Sequence, residues 1–178
     1  MLQKCSILTV AGVFFREPTK DHYLLEISKK ADLSHTSTKT HLQTLIKLSI
    51  IKESIEKRGD RKFPIFRAEI HHKNYKTHKK MFNLLELQNS NLISYLQNSL
   101  MPKCIVLFGS YQRGEDVEDS DIDLFLECKE EKVDLSKFAK MLNRNIQLHF
   151  KDNFKKYPTE LKNNIINGVV LEGYLEAL

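Results

Sequence analysis

A short apolar run that ends in Gly109-Ser110 and is followed, ten residues later, by Asp121-Ile122-Asp123 constrains this chain more than any other feature. The run Cys104–Phe108 predicts a buried strand, and the apolar residues after Asp123 predict a second one. Because side chains alternate along a strand, Asp121 and Asp123 share one face, with Ile122 and Leu124 on the other. The pattern therefore predicts two carboxylates side by side next to a tight turn.

This arrangement is typical of a metal-dependent nucleotide site. Paired carboxylates suit Mg²⁺, which proteins usually hold through one or two carboxylates together with substrate phosphates. A Gly-Ser turn that opens a helix offers backbone N–H groups and a hydroxyl to a phosphate. Each element alone is common in surface turns, so the alternative is an ordinary turn followed by an ordinary strand. The combination favours the nucleotide site.

The same residues resemble a known signature. Gly109–Gly114 followed by Ser120–Leu124 resembles the DNA polymerase beta-like nucleotidyltransferase superfamily, most closely its minimal nucleotidyltransferase branch. Leu161–Tyr174 is similar to the closing helix and strand of those small proteins. The resemblance covers residues 101–178. It implies a small α/β domain with a mixed sheet, and transfer of a nucleoside monophosphate from an NTP to a hydroxyl acceptor, which in this superfamily can belong to a protein or a nucleic acid.

The resemblance also implies roles for individual residues. Asp121 and Asp123 would hold two Mg²⁺ ions, which clamp the attacking and departing oxygens. Gly109 and Ser110 would cradle the phosphates, and Arg113 would neutralise them. The acidic residues of the following loop would face away from the phosphates, and they are Glu115, Asp116, Glu118 and Asp119.

The chain departs from the family at the third carboxylate. The predicted strand Asn145–Phe150 places Gln147 at that position, and glutamine can neither deprotonate a hydroxyl nor add charge to a metal pair. His149 lies on the same face and is a possible base near neutral pH. Glu127, on the Asp121 face of its own strand, is a possible substitute acid. This departure bears on catalysis more than on nucleotide binding.

The first 72 residues predict a different domain. Helices are expected over residues 6–15, 21–30 and 35–48, and two strands over 50–56 and 63–70 flank a charged turn at 57–62. Pro64 lacks a backbone donor, so the second strand is expected at a sheet edge. Three helices followed by a basic-tipped hairpin resemble a winged helix-turn-helix domain.

That resemblance implies contact with double-stranded DNA. The third helix would enter the major groove and present Ser37, Lys39, Thr40 and Gln43 to it. Arg58, Arg61 and Lys62 at the wing tip would meet backbone phosphates. Charge agrees with this: residues 1–72 carry 13 Lys/Arg against 8 Asp/Glu, whereas residues 101–178 carry 11 against 14. The alternative is a small helical domain used for dimerisation, with the same surface merely solvated.

Residues 73–100 predict one long linking helix with an apolar stripe. Such a stripe must be covered, and a homodimer would cover it. No apolar run approaches a membrane span, and no signal peptide is evident, so we expect a cytoplasmic protein that does not bind membranes. The three cysteines match neither a disulfide framework nor a zinc spacing. The histidines outside the nucleotidyltransferase-like region also match no ligand spacing, and they are His22, His35, His41, His71, His72 and His78.

The expected fold is therefore α+β: a winged helix over residues 1–72, a linking helix over 73–100 and a nucleotidyltransferase-like α/β domain over 101–178. The first functional hypothesis is an Mg²⁺-dependent nucleotidyltransferase with a DNA-binding N-terminal domain. The rival is a catalytically inactive DNA-binding regulator, or an antitoxin-like protein, whose second domain senses a nucleotide. Gln147 favours the rival, and the intact Asp121 and Asp123 favour the enzyme.

Overall fold

A computed structural model describes residues 5–151, 154 and 159–176 of the chain. The chain divides into two compact units, residues 1–82 and residues 83–178. The helices are α1 (Ser6–Arg16), α2 (Leu24–Ala31), α3 (His35–Lys47), α4 (Lys73–Ser90), α5 (Leu92–Leu100), α6 (Gly109–Arg113), α7 (Ser136–Leu142) and α8 (Thr159–Ile166). The strands are β1 (His22–Tyr23), β2 (Ile51–Arg58), β3 (Arg61–Ala68), β4 (Cys104–Phe108), β5 (Ile122–Leu126), β6 (Ile146–Phe150) and β7 (Val169–Gly173).

The first unit packs three helices against a small antiparallel sheet of order β1-β3-β2. Its core is aromatic and aliphatic, with Phe14, Ile27, Leu42 and Ile51 almost fully buried. The predicted second helix begins three residues late, because His22 and Tyr23 instead pair with Phe66 and Ile65 of β3. Sequence periodicity could not detect a strand of only two residues.

We predicted from Pro64 that β3 would lie at a sheet edge, and this prediction is wrong. β3 is the central strand, with β1 on one side and β2 on the other. However, β1 pairs only with Ile65 and Phe66, so among the described strands β2 is the sole neighbour of β3 at Pro64 itself. The missing backbone donor is tolerated because the third strand is so short.

The region 73–100 forms two helices and not the single helix that we predicted. Asn91 separates α4 from α5 with a left-handed backbone, φ +60°. The apolar stripe of these helices is covered within the chain, since Tyr75 and Phe82 join the core of the first unit and Leu92 and Leu96 join that of the second. The homodimer therefore stays a prediction. The uncovered apolar stripe that suggested it is not found in these helices.

The second unit is built on a four-stranded mixed sheet of order β6-β5-β4-β7. β5 runs antiparallel to β4 and parallel to β6, as the α+β prediction with a mixed sheet required. Helices α5 and α7 cover one face, where Ile122, Leu124 and Leu126 point. The opposite face carries Phe108 and Phe125, packed with residues of α8. Among the described helices, none combines the length and apolarity that crossing a membrane requires.

Candidate functional site

The site begins where β4 ends beside the start of β5. Phe108 pairs across the antiparallel ladder with Asp123, and the chain turns at Gly109 immediately afterwards. Gly109 has φ +79°, and a Cβ built on it would lie 2.4 Å from Oδ2 of Asp123. The position therefore accepts glycine for two reasons, a left-handed backbone and the carboxylate that lies against its Cα.

Asp121 and Asp123 face the same side of the sheet as the alternate residues of β6. The side-chain amide of Gln147 donates a 2.6 Å hydrogen bond to Oδ2 of Asp121. Nε2 of His149 lies 3.2 Å from Oδ1 of Asp123. The parallel pairing of β5 with β6 produces this arrangement, because it sets Asp123 beside Gln147 and Phe125 beside His149. The structure thus brings together four of the residues that the sequence singled out.

The His149–Asp123 pair is partly open to solvent. The two side chains are 25% and 24% exposed. The His149 ring also packs edge-on against Phe108, with 5.1 Å between ring centroids. This aromatic contact limits the directions that the imidazole can take and keeps it beside the carboxylate.

Two other residues that we considered for the site, Arg113 and Glu127, have other hydrogen-bond partners. Arg113 ends α6 and donates a 2.8 Å hydrogen bond from Nε to the carboxylate of Glu115, in an exposed pair. Glu127 was a possible substitute acid, but its carboxylate accepts hydrogen bonds from the backbone N–H of Phe154 and from the Cys104 thiol. It lies just beyond the far end of β5 from Asp121, and it is buried there, so the suggestion that it replaces the third acid is wrong.

A buried polar network that the sequence did not reveal supports the loop before Asp121. Asp116 lies 3.5 Å from Arg144, and the two side chains are 1% and 3% exposed. The amide of Asn83 donates to Oδ1 of Asp116 at 2.8 Å and to the carbonyl of Tyr111 at 2.9 Å. Asp116 is therefore held in the interior of the unit and not in solvent. No local pattern signals such a pair, because its two members lie 28 residues apart.

Comparison with known families bears on this unit. Residues 90–173 match the family model described as Polymerase beta, Nucleotidyltransferase. The match supports the predicted relation to the polymerase beta-like nucleotidyltransferase superfamily, and it suggests nucleotidyl transfer as the general activity. No curated protein and no solved structure gives a significant match to the chain.

Domains of the polymerase beta-like superfamily generally use divalent metals, and the donors here fit a hard cation. Asp121 and Asp123 present carboxylate oxygens on one face, and both accept bonds from neighbouring side chains that a cation could displace or share. Gln147 adds a neutral amide, whose oxygen is an acceptable ligand for such an ion. The residues present therefore suit Mg²⁺.

The α3 residues predicted to contact DNA lie on the first unit, in two different environments. Lys39, Thr40 and Gln43 are exposed along α3. Ser37 is half-buried and donates its backbone N–H to the capping hydroxyl of Ser34.

The wing residues also differ from one another. Arg58 is engaged near the hairpin tip, where its guanidinium donates to Glu56 and to the hydroxyl of Tyr23. Arg61 and Lys62 are exposed on the adjoining strand. Arg61 pairs across the hairpin with Arg58, and Lys62 pairs with Lys57, so like charges stand directly opposite one another. Such pairs are unfavourable unless an anion relieves them.

Proposed function

We propose that the chain is an Mg²⁺-dependent nucleotidyltransferase that moves a nucleoside monophosphate from an NTP to a hydroxyl acceptor. One observation carries the proposal: Asp121 and Asp123 share a face beside the Gly109 turn, within a segment that matches the nucleotidyltransferase family model. Two adjacent carboxylates and a small-residue turn form the minimum set for holding a metal together with a polyphosphate.

Each residue has a proposed role. Asp121 and Asp123 would hold Mg²⁺, which supplies charge neutralisation and orientation at the transferring phosphoryl group. Gly109 and Ser110 would lie against the remaining phosphates, where the lack of a Cβ at Gly109 leaves room for close approach. Arg113 would bind a phosphate after leaving Glu115, a change that costs little because exposed ion pairs contribute at most about 1 kcal/mol.

His149 is the proposed base for the acceptor hydroxyl. Its contact with Asp123 orients the ring, and an imidazole can accept a proton near neutral pH. Gln147 would hold Asp121 in place and cannot accept the proton. Replacement of the third acid by Gln147 therefore assigns the proton transfer to the neighbouring side chain on the same strand face.

An assay of label transfer tests the proposal. The full chain is incubated with Mg²⁺ and each α-labelled NTP, together with protein and nucleic-acid acceptors. We expect transfer by the natural chain and by Asp119→Asn, an exposed acid in the same loop, but none by Asp121→Asn or Asp123→Asn. Transfer that persists in both site variants would contradict the proposal.

A second function is favoured by Gln147 itself. If a neutral residue at the third-acid position abolishes chemistry, the unit would bind a nucleotide without transferring it, and the chain would act as a DNA-binding regulator or an antitoxin-like protein. The variants Gln147→Asp and Gln147→Glu distinguish the two functions. If the natural chain transfers no label and these variants do, the binding function is favoured. Transfer by the natural chain favours the enzyme.

We also infer that the first unit is a winged helix-turn-helix that binds double-stranded DNA. The element order α1-β1-α2-α3-β2-β3, the sheet order β1-β3-β2 and the exposed polar residues of α3 support this inference. The opposed cations at Lys57, Lys62 and Arg61 support a phosphate partner for the wing. Salt-dependent binding to random duplex DNA tests it, because a solvated dimerisation surface would not bind.

A further inference from the structure

We propose that Asn83 is a positioning residue of the nucleotidyl-transfer site, an inference that rests on the proposed function. Its buried side-chain amide ties the helix that starts at Gly109 to the loop that leads into Asp121. Asn83 lies in α4, within the second unit, and has no assigned contact with metal or nucleotide. Its role is to set the distance between the turn proposed to hold the phosphates and the carboxylates proposed to hold the metal.

The side-chain amide of Asn83 makes two hydrogen bonds to two different segments of the chain. Nδ2 donates to the carbonyl oxygen of Tyr111 at 2.9 Å and to Oδ1 of Asp116 at 2.8 Å. A side-chain NH₂ group has two N–H donors, so both are used. Asn83 is only 2% exposed, and loss of these donors would leave buried acceptors without them. No sequence pattern indicates this role, since the two acceptors lie 28 and 33 residues further along the chain.

The first acceptor belongs to α6, the helix that follows the Gly109 turn. This helix has only five residues, and so short a helix depends on contacts outside itself for its orientation. Tyr111 follows Gly109 by two residues, and its side chain is buried. The bond from Asn83 therefore helps to fix the turn whose backbone is proposed to lie against the phosphates.

The second acceptor lies beside the start of the two strands that carry the other candidate site residues. Asp116 precedes Asp121 by five residues, and its other carboxylate oxygen lies 3.5 Å from the guanidinium of Arg144. Arg144 comes shortly before β6, whose start is joined to β5 by a 2.9 Å hydrogen bond from the Ile122 N–H to the Asn145 carbonyl. Both strands therefore begin next to groups that are connected to the Asn83 amide.

The spacing between the turn and the carboxylates leaves little room for error. A Cβ on Gly109 would lie 2.4 Å from Oδ2 of Asp123, so the two elements are in direct contact. A misplacement of about 1 Å at a reacting centre can reduce the rate roughly a hundredfold. If the Asn83 amide is lost, the turn and the carboxylates can each still contact the NTP, but their alignment is no longer fixed. Transfer should therefore slow more than nucleotide binding weakens.

The alternative is that Asn83 only stabilises the fold, and Ser90 provides a matched control for this. Ser90 is a buried polar residue of the same helix, 4% exposed. Its hydroxyl donates to the Leu87 carbonyl and accepts from the Leu92 N–H, so both bonds stay within the α4–α5 region. Ser90→Ala therefore removes buried hydrogen bonds without touching the turn or the loop.

Steady-state label transfer with Mg²⁺ tests the inference, using the full chain and rates normalised to the folded fraction measured by circular dichroism. Asn83→Leu keeps the branched shape of the side chain but has no donor. We expect its kcat to fall at least tenfold while KM for the NTP changes less than about threefold. Ser90→Ala should keep kcat within about twofold of the natural value. Asn83→Gln, which retains two N–H donors, should have a higher kcat than Asn83→Leu.

If Asn83→Leu does not fold, Asn83→Ser takes its place, because the single donor of a hydroxyl cannot serve both acceptors. A natural kcat in the folded Asn83→Leu or Asn83→Ser variant would overturn this inference and leave the proposed function intact. Equal losses of kcat in the Asn83 variant and in Ser90→Ala would also overturn it. Absence of transfer by the natural chain would instead overturn the proposed function, and this inference with it.

Discussion

The carboxylate of Asp123 lies so close to the Cα of Gly109 that a methyl group there would stand 2.4 Å from Oδ2. This contact joins the end of β4 to the start of β5 at the point where the proposed metal and phosphate positions meet. The glycine is therefore required by the site and not only by the turn. A chain with any side chain at this position must move Asp123.

Gly109→Ala tests that relationship. We expect loss of nucleotide binding and a stability loss of about 1–3 kcal/mol, from the left-handed backbone together with the collision. Gly59→Ala is the matched control, since Gly59 also has a left-handed backbone, φ +58°, but nothing lies within 4 Å of its Cβ position. Denaturation and nucleotide titration of both variants separate the two causes. Equal effects of the two substitutions on nucleotide binding would contradict the role given to the Gly109–Asp123 contact.

The sequence predicted the positions of the candidate site residues better than the contacts that surround them. Alternation along two short strands was sufficient to place Asp121, Asp123, Gln147 and His149 on one side, because period-two geometry is local. It also predicted the mixed sheet through the resemblance. Partners that meet only in three dimensions were missed, as the engagement of Glu127 with the backbone of Phe154 illustrates.

The predictions of helix boundaries failed for a related reason. The apolar stripe continues through Asn91, so periodicity indicated a single helix, whereas a left-handed residue at that position divides it. Asparagine tolerates this conformation better than most residues, but the same residue type is also common inside helices. The short strand at His22 and Tyr23 likewise depends on pairing with β3, which the local sequence does not encode.

The buried pair of Asp116 and Arg144 should contribute strongly to the second unit. Arg144→Met leaves a buried carboxylate without its cation, and breaking such a pair typically costs about 3–5 kcal/mol. Glu115→Gln removes the exposed partner of Arg113 and should cost at most about 1 kcal/mol. Urea denaturation of both variants checks the contrast. A loss below about 1 kcal/mol for Arg144→Met would show that the pair does not hold the loop.

The cysteines should differ sharply in reactivity. Burial, reinforced by the negative charge of Glu127, raises the pKa of the Cys104 thiol to about 12. Burial also raises the pKa of Cys128, whereas Cys5 is exposed. Because the thiolate is the nucleophile and a raised pKa keeps it protonated until high pH, iodoacetamide at pH 8 should label Cys5 first and Cys104 last. Mass spectrometry after timed quenching measures the order, with the unfolded chain as control. Labelling of Cys104 as fast as Cys5 would contradict the assigned burial.

The wing residues should contribute to DNA affinity unequally. Arg61→Ala and Lys62→Ala should weaken binding to any duplex and reduce the steepness of its salt dependence, because each removes one phosphate contact. Arg58→Ala should weaken it less, since that guanidinium is already engaged with Glu56 and Tyr23. Fluorescence anisotropy over a range of salt concentrations measures both quantities. An unchanged salt slope in Arg61→Ala and Lys62→Ala would assign the wing another role.

We propose that Asp121 and Asp123 jointly hold a divalent metal with a nucleotide, and calorimetric titration of a non-hydrolysable NTP analogue tests this without the acceptor. The natural chain and Asp119→Asn should each bind one nucleotide in the presence of Mg²⁺ and none after chelation. The Asp121→Asn/Asp123→Asn variant should lose at least tenfold in affinity. Equal binding by that variant, or binding by the natural chain that is indifferent to Mg²⁺, would contradict the account.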